Sequence, residues 1–536
     1  MSKVLRLSAM PLLAVLLTLP SPAIALAQDK LDFQLRQPQP TGKSQPVIVE
    51  TTAGGADSVR QFLRRRGKGT SGDLPTLNAV VADLTAEELG VVCGANTAVV
   101  RCHSDAEVVS HASNGPAVGT TASVSTLLGT LGLQADAGAG GGVTVAVVDS
   151  GIFPSAAFGQ RIKAFRNFTL DGRKENPSDG FGHGTHVAGL IGGLQVAADA
   201  EYQGVAPGVK FVGLKVLDET GRGKTSDVIR AIEFAIANRV SLGIDVINLS
   251  LGHPILEPAA TDPLVQAVER ASRAGIIVVT SAGNHGLNAE GLPGYAGITS
   301  PGNSPSAITV GSANHHATTG RGDDRLAPYS SSGPTWYEGI AKPDFAAPGH
   351  WLASEASPES ALAVNYPQFQ IQGPSGKTFL QLSGTSMAAA VATGVVAVLK
   401  QTIPDLTPNL AKAILQFTAL PMYDDLGVRY DALRQGTGEI NAEGASLLAQ
   451  RIDDLRSRSA RSRSLSALPQ VTVIEGQAYA WAGNIVWGDN IVWGDNIVWG
   501  DNIVWGDNIV WGDNIVWGDN IVWGDSVAVI SGSAGR

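Results

Sequence analysis

The chain has 536 residues, which at about 150 residues per domain means two to four units. Hydrophobic residues make up 44 % and charged residues only 16 %, ample apolar material for a large core, so global disorder is excluded. A formal net charge of -10 removes the electrostatic footprint of a nucleic-acid binder, and two cysteines, Cys93 and Cys102, are too few for a disulfide-built scaffold.

Lys3 and Arg6 precede an apolar stretch from Ala9 to Leu19, followed by Ala25-Leu26-Ala27. This is the charged, apolar, small-x-small order of a cleavable signal peptide, with cleavage expected after Ala27. The apolar run is shorter than the roughly 18 to 20 residues a membrane span needs. Gln28, not Cys, follows the cut, so no thiol stands there for a lipoprotein anchor.

Residues 28–115 read as a small α+β segment. Pro46 to Glu50 is strand-like, Ser58 to Arg65 is a short basic helix, Asn78 to Asp83 is a second strand, and Thr85-Ala-Glu-Glu88 opens a helix as a capping box. Cys93 and Cys102 fall here, and the spacing leaves a hairpin staple and two free thiols both open. From Ser113 to Gly142 the chain turns to Gly, Ala, Ser and Thr, a domain boundary.

Residues 116–450 alternate β-branched runs with helical patterns. The runs are Val143 to Val148, Lys210 to Leu217, Ile244 to Leu251 and Ile276 to Thr280; the helices are Thr225 to Val240 and Thr261 to Ala274, the second with Pro263 near its start and Gly275 after its end. A parallel sheet covered by helices is the expected architecture. Residues 451–475 read as a solvated linker, because Arg451 to Arg463 carries five Arg and two Asp among serines.

Residues 476–536 hold a repeat. Asn-Ile-Val-Trp-Gly-Asp occurs seven times without error from Asn484 to Asp525, after a degraded copy around Trp481. An even period puts Ile, Trp and Asp on one face of a strand and Asn, Val and Gly on the other. Strands joined by Gly-Asp turns, a hexapeptide solenoid and a low-complexity spacer are the readings this period allows. Surface attachment or self-association is the expected role of the first two.

Three blocks can carry chemistry. Val147-Val148-Asp149-Ser150-Gly151 ends a buried strand with a carboxylate, at the edge where open α/β sheets place functional groups. Asp179-Gly-Phe-Gly-His183-Gly-Thr-His186 sets a histidine among glycines, open to close approach; His-Glu-x-x-His is absent, so no metal site is read there and His186 is expected to be a packed structural residue. Gly384-Thr385-Ser386-Met387-Ala388 starts a small-residue helix whose N-terminus favours developing negative charge beside the Ser386 hydroxyl. An isolated serine there would be an ordinary N-cap. Chain order discriminates: none of the nine histidines follows Ser386, which excludes the Ser, acid, His order of α/β-hydrolases. The His, acid, Ser order of chymotrypsin-type enzymes would need its acid between His183 and Ser386, and the Gly-Asp-Ser-Gly-Gly context is missing, so Asp, His, Ser is the order that fits.

With Ser281-Ala282-Gly283-Asn284, Asn248-Leu-Ser250-Leu251-Gly252, Lys342 to Gly349 and Gly436 to Ala442, these blocks resemble those of the subtilases, the subtilisin-like serine proteases, in the family's order from about Gly142 to Ala449. The resemblance implies a three-layer α/β fold, a parallel sheet with helices on both faces. It implies Ser386 as nucleophile, His183 as general base and acid, Asp149 as its orienting partner and Asn284 as oxyanion donor. It implies that Ser250, Leu251 and Gly252, with Ser281, Ala282 and Gly283, bind extended protein or peptide substrate. The segment 28–115 resembles a subtilase propeptide, an intramolecular inhibitor, with processing expected between Ser110 and Ala122. No cofactor is required, and calcium is a common structural stabiliser for which no ligand cluster is assignable. Where the family usually has Pro, Ala390 and Val391 stand, which should change the helix locally and remove no catalytic group. The expectation is a secreted serine endopeptidase made as an autoprocessed proenzyme. Its alternatives are a catalytically silent adhesion protein whose repeats carry the function, and a tripeptide-releasing exopeptidase shaped by inserts near the cleft.

Overall fold

The computed structural model describes residues 28–40, 42–111, 125–288, 290–457 and 470–487, and short strands of the later repeats between 490 and 523. The expected signal peptide and residues 458–469 of the expected linker lie outside the described residues; the linker's first seven residues instead continue a helix, Ala442–Ser457, and its last ones enter a hairpin. Two compact units divide at Ser104/Asp105.

The first unit is a four-stranded antiparallel sheet in the order β2-β3-β1-β4, built from β1 (Ser44–Thr51), β2 (Gly72–Leu74), β3 (Ala79–Thr85) and β4 (Val99–Ser104). Helix α1 (Ala56–Arg64) buries Val59 and Leu63 on the same core as Val47, Val49, Val80 and Ala82. The capping box forms: Thr85 accepts from the Glu88 N–H while the Glu88 carboxylate accepts from the Thr85 N–H at 2.8 Å. Cys93 and Cys102 are joined in a disulfide inside this core, which resolves the alternative the spacing leaves open.

The second unit is organised by a nine-stranded sheet. Seven of its strands run parallel, in the spatial order Phe345–Pro348, Ile308–Asn314, Ile277–Ser281, Ile244–Leu249, Thr144–Asp149, Lys210–Lys215 and Ile162–Asn167. Side chains alternate along each strand. Val145, Val147, Val246, Ile277 and Val279 share one core with Val187, Leu190 and Ile191 of α2 (His183–Gly192) and with Met387, Val391 and Val395 of α3 (Thr385–Thr402). The alternate set, Ala146, Val148, Ile247 and Leu249, is equally buried, covered by the paired helices α4 (Thr225–Ala237) and α5 (Pro263–Arg273). Both faces are therefore dry, which is why the strands read as unbroken β-branched runs. The caps of α5 are as expected: Asp262 accepts from the Leu264 and Val265 N–H groups, Pro263 opens the helix, and Gly275 follows it at φ 81°.

The chain leaves strand Thr144–Asp149 for Ile162–Asn167 and Lys210–Lys215 on one side of it, then crosses to Ile244–Leu249 and the later strands on the other. Such a switch point opens a crevice at the carboxyl ends of the strands, and Asp149 is the residue that ends the strand there.

Beyond α6 (Ala442–Ser457), a hairpin of Val471–Ile474 with Gln477–Ala480 packs Ile474 and Trp481 into the main core. The boundary drawn at 475/476 from the sequence falls inside this hairpin. The seven repeats each contribute a short strand: two adjacent copies pair antiparallel, while Val498–Trp499 and Asn502–Trp505 pair parallel and in register with the strands two repeats on.

Candidate active site

Asp149 is fully buried, and its Oδ1 is held by the Ser150 N–H at 2.7 Å. His183 is the first residue of α2. Its Nδ1 lies 2.8 Å from Asp149 Oδ1 and 3.0 Å from Oδ2, so the carboxylate fixes which ring nitrogen carries a proton: Nδ1 donates and Nε2 is left as the basic lone pair. That Nε2 is buried and, among the described residues, has no hydrogen-bond partner, the Ser386 hydroxyl included. Gly184 makes the approach possible, because a Cβ there would stand 2.2 Å from the Gly151 carbonyl oxygen and 3.0 Å from Asp149 Cβ. Gly182 precedes the helix at φ 101°, in the left-handed region that favours glycine.

Asp179 sets the helix in place and was not singled out from the sequence, although it lies in the His183 block. Its Oδ1 accepts from the Gly182 N–H and the Ser150 hydroxyl; its Oδ2 accepts from the Thr185 N–H and hydroxyl. It caps α2 and ties the His183 turn to the residue after Asp149 in one buried group. An acidic residue just ahead of a helix start is the signal that could have found it.

Ser386 is the second residue of α3, after Gly384 and Thr385, and is fully buried. It is not an N-cap. Its hydroxyl donates to the Ser250 carbonyl at 3.0 Å, and the Ser250 hydroxyl donates in turn to the Ser386 carbonyl at 3.0 Å. The helix continues unbroken through Ala390 and Val391. His186 is fully buried with Nε2 3.0 Å from the Leu352 carbonyl oxygen, and burial pushes its imidazole down to about 3, as a packed structural histidine requires. Among the described residues no group of three or more His, Cys, Asp or Glu could hold a metal ion.

Asn284 is oriented by α3: its Oδ1 accepts from the Thr385 N–H at 3.1 Å and hydroxyl at 3.0 Å, which turns Nδ2 the other way. Nδ2 donates to the carbonyl oxygen of His111 at 2.7 Å. Here the structure supplies what the sequence did not. Residues Glu107–Ser110 form a strand paired antiparallel on both sides, with Arg222–Lys224 on one edge and Leu251–Pro254 on the other. Leu251 faces Ser110, Gly252 faces Val109, and the His111 N–H donates to the Ser250 carbonyl. An extended peptide thus lies in a groove walled by Ser250, Leu251 and Gly252. Its side chain at 111 reaches Ser281, whose hydroxyl is 2.7 Å from His111 Nδ1. Ala282 and Gly283 continue that wall, with Gly283 at φ 111° and its N–H on the Thr385 hydroxyl. Upstream, buried Asp105 caps α4 through the Ser226 N–H and hydroxyl, anchoring the start of the strand.

A profile of the subtilase family matches residues 140–444. The chain belongs to the subtilase family. The matched region is a serine-endopeptidase domain of the subtilisin type. Over 311 residues it is 38 % identical to serine protease AprX of Bacillus subtilis (strain 168), a stretch covering 57 % of this chain and 66 % of AprX, just under two thirds of it. Over 315 residues it is 32 % identical to subtilisin DY of Bacillus licheniformis, covering 59 % of this chain and 94 % of that one. In fold, the subtilase domain and its surroundings resemble fervidolysin from Fervidobacterium pennivorans, described as a keratinolytic enzyme related to subtilisin, with a TM-score of 0.56 at 20 % identity over 83 % of this chain and 68 % of that chain.

Proposed function

We propose that the protein is an exported serine endopeptidase made as a proenzyme, with residues 28–111 as an inhibitor-like propeptide that it removes itself. One observation carries this reading: the carbonyl of an in-chain extended peptide, His111, accepts from Asn284 at 2.7 Å beside Ser386. A peptide held by strand pairing on both edges, with its carbonyl on an amide donor, has the geometry of a substrate awaiting attack.

Ser386 Oγ attacks the carbonyl carbon while His183 Nε2 takes its proton, and Asp149 stabilises the imidazolium. The developing oxyanion is met by Asn284 Nδ2 and by the N-terminus of α3, whose dipole favours negative charge. His183 returns the proton to the leaving amine, and a water, deprotonated by the same nitrogen, hydrolyses the acyl-enzyme. The bond broken in processing is His111–Ala112, within the window expected from the sequence. Export is supported by the charged, apolar, small-x-small order of residues 1–27 and by the disulfide, a bond of oxidising compartments.

Secretion of the full chain beside its Ser386→Ala variant, with intact-mass measurement and a casein assay, tests the reading. The wild type is expected to end its propeptide at His111 and to digest casein, while the variant stays long and inert. Identical processing and identical casein digestion in the two would overturn it.

A further inference from the structure

We infer that the pocket formed by Gly252 and Ser281 selects histidine as the residue on the acyl side of the broken bond. The inference rests on reading residues 107–111 as substrate in place and adds the side-chain preference that reading leaves open. His111 is buried, and its Nδ1 lies 2.7 Å from Ser281 Oγ. Ser281 is fully buried at the end of its strand, and its hydroxyl has no other partner among the described residues. The ring edge lies against Gly252, where a Cβ would stand 2.8 Å from His111 Cε1. The pocket thus has a wall without a side chain close against the ring edge and one polar group at the position of a ring nitrogen.

An apolar side chain in this pocket would leave the Ser281 hydroxyl buried without a partner, and sites built to bond a substrate group reject analogues that lack it. Among the described residues no carboxylate acts on the ring, so a lysine or arginine would find no counter-charge there. The titratable groups that face the ring are His183, His253 and His285, and each opposes a positive charge there. Burial, with these histidines, pushes the His111 imidazole down to about 3 from an ordinary 6.5. The pocket therefore takes the neutral ring. Because the bound value lies below the free one, binding is strongest above the free value and weakens as pH falls through it.

The test is a series of chromogenic peptides Glu-Val-Val-Ser-X, with X as His, Gln, Phe or Lys, cleaved by the wild type as it emerges from expression of the full chain and by Ser281→Ala. At pH 8 the His peptide is expected to exceed Phe and Lys by about tenfold or more in kcat/KM, the scale of one unmade buried hydrogen bond. Ser281→Ala should abolish that lead, and Ser281→Thr should restore part of it. Lowering the pH below about 6.5 should cut the His-to-Gln ratio by about tenfold per unit, a trend that protonation of His183 cannot produce because it affects both peptides. A mass-spectrometric census of wild-type cleavage sites in casein gives the same preference without any variant. Preference for Phe or Lys, or a His lead unchanged in Ser281→Ala, would overturn the inference while casein digestion leaves the endopeptidase reading standing. Failure to cleave casein as well would overturn both.

Discussion

At the scale of single residues, the site is a set of side chains each held by a second partner. Asn284 is the clearest case. Its Oδ1 is committed to Thr385, so Nδ2 is already aimed at the His111 carbonyl, and a donor fixed in advance costs no reorganisation during reaction. Asn284→Ala is expected to lower kcat by about 10²- to 10³-fold, about 2.7–4 kcal/mol, with KM little changed, a magnitude carried over from subtilisin itself. Steady-state kinetics on any cleaved peptide checks it; an equal fall in affinity with kcat intact would move Asn284 from the oxyanion to ground-state binding. The blocks around Asp149, His183, Ser386 and Asn284 could be singled out as candidates because each is short and its local form already poses the side chain. His111 was not, because nothing next to it in the chain marks it: its partners, Ser281 and Asn284, are 170 and 173 positions away.

At the scale of elements, four of the seven parallel strands and the helices α4 and α5 could be placed from β-branched runs and helical patterns, since each must bury a face; Ile162–Asn167, Ile308–Asn314 and Phe345–Pro348 were not read from the sequence. The strands that hold the peptide could not. Arg222–Lys224 and Glu107–Ser110 are three and four residues long, too short for a period, and exist because each supplies the other's hydrogen bonds. The first unit shows the same division. Two of its four strands, β1 and β3, and its capping box follow from sequence, whereas β2, β4 and the disulfide do not. That bridge closes a loop of sequence separation 9, for which chain entropy predicts about 2–3 kcal/mol of stabilisation. Replacing Cys93 and Cys102 together by serine is therefore expected to lower the stability of the first unit by about that amount in denaturant unfolding. If residues 28–111 act as a propeptide, the same variant should mature more slowly while the processed enzyme, which contains neither cysteine, keeps its kcat/KM.

At the scale of the whole chain, the question is where the folded body ends and the repeat begins. The sequence pattern places Trp481 with the repeats, as a degraded copy. Packing places it with the subtilase fold. Trp481 is buried, meets Phe417 edge-on at 6.3 Å, and donates from Nε1 to the Thr472 hydroxyl at 2.8 Å, the same oxygen that accepts from Asn441. Backbone bonds from Ala482 to Ala419 and from Gly483 to Phe417 continue the seam. A tryptophan with a filled pocket and a satisfied N–H is a core residue, and its truncation leaves a cavity and removes one of the two donors on the Thr472 hydroxyl. Trp481→Ala is expected to cost about 3–5 kcal/mol, and a chain ending at residue 469 to lose its folded subtilase domain outright. A chain ending at residue 495, which keeps the hairpin and the first two copies, should match the full chain in Tm and in peptide hydrolysis. Thermal unfolding of the three beside the wild type separates the alternatives: if the chain ending at 495 melts as early as the chain ending at 469, the later repeats support the fold, and they could not then be a module added to a protease that stands without them.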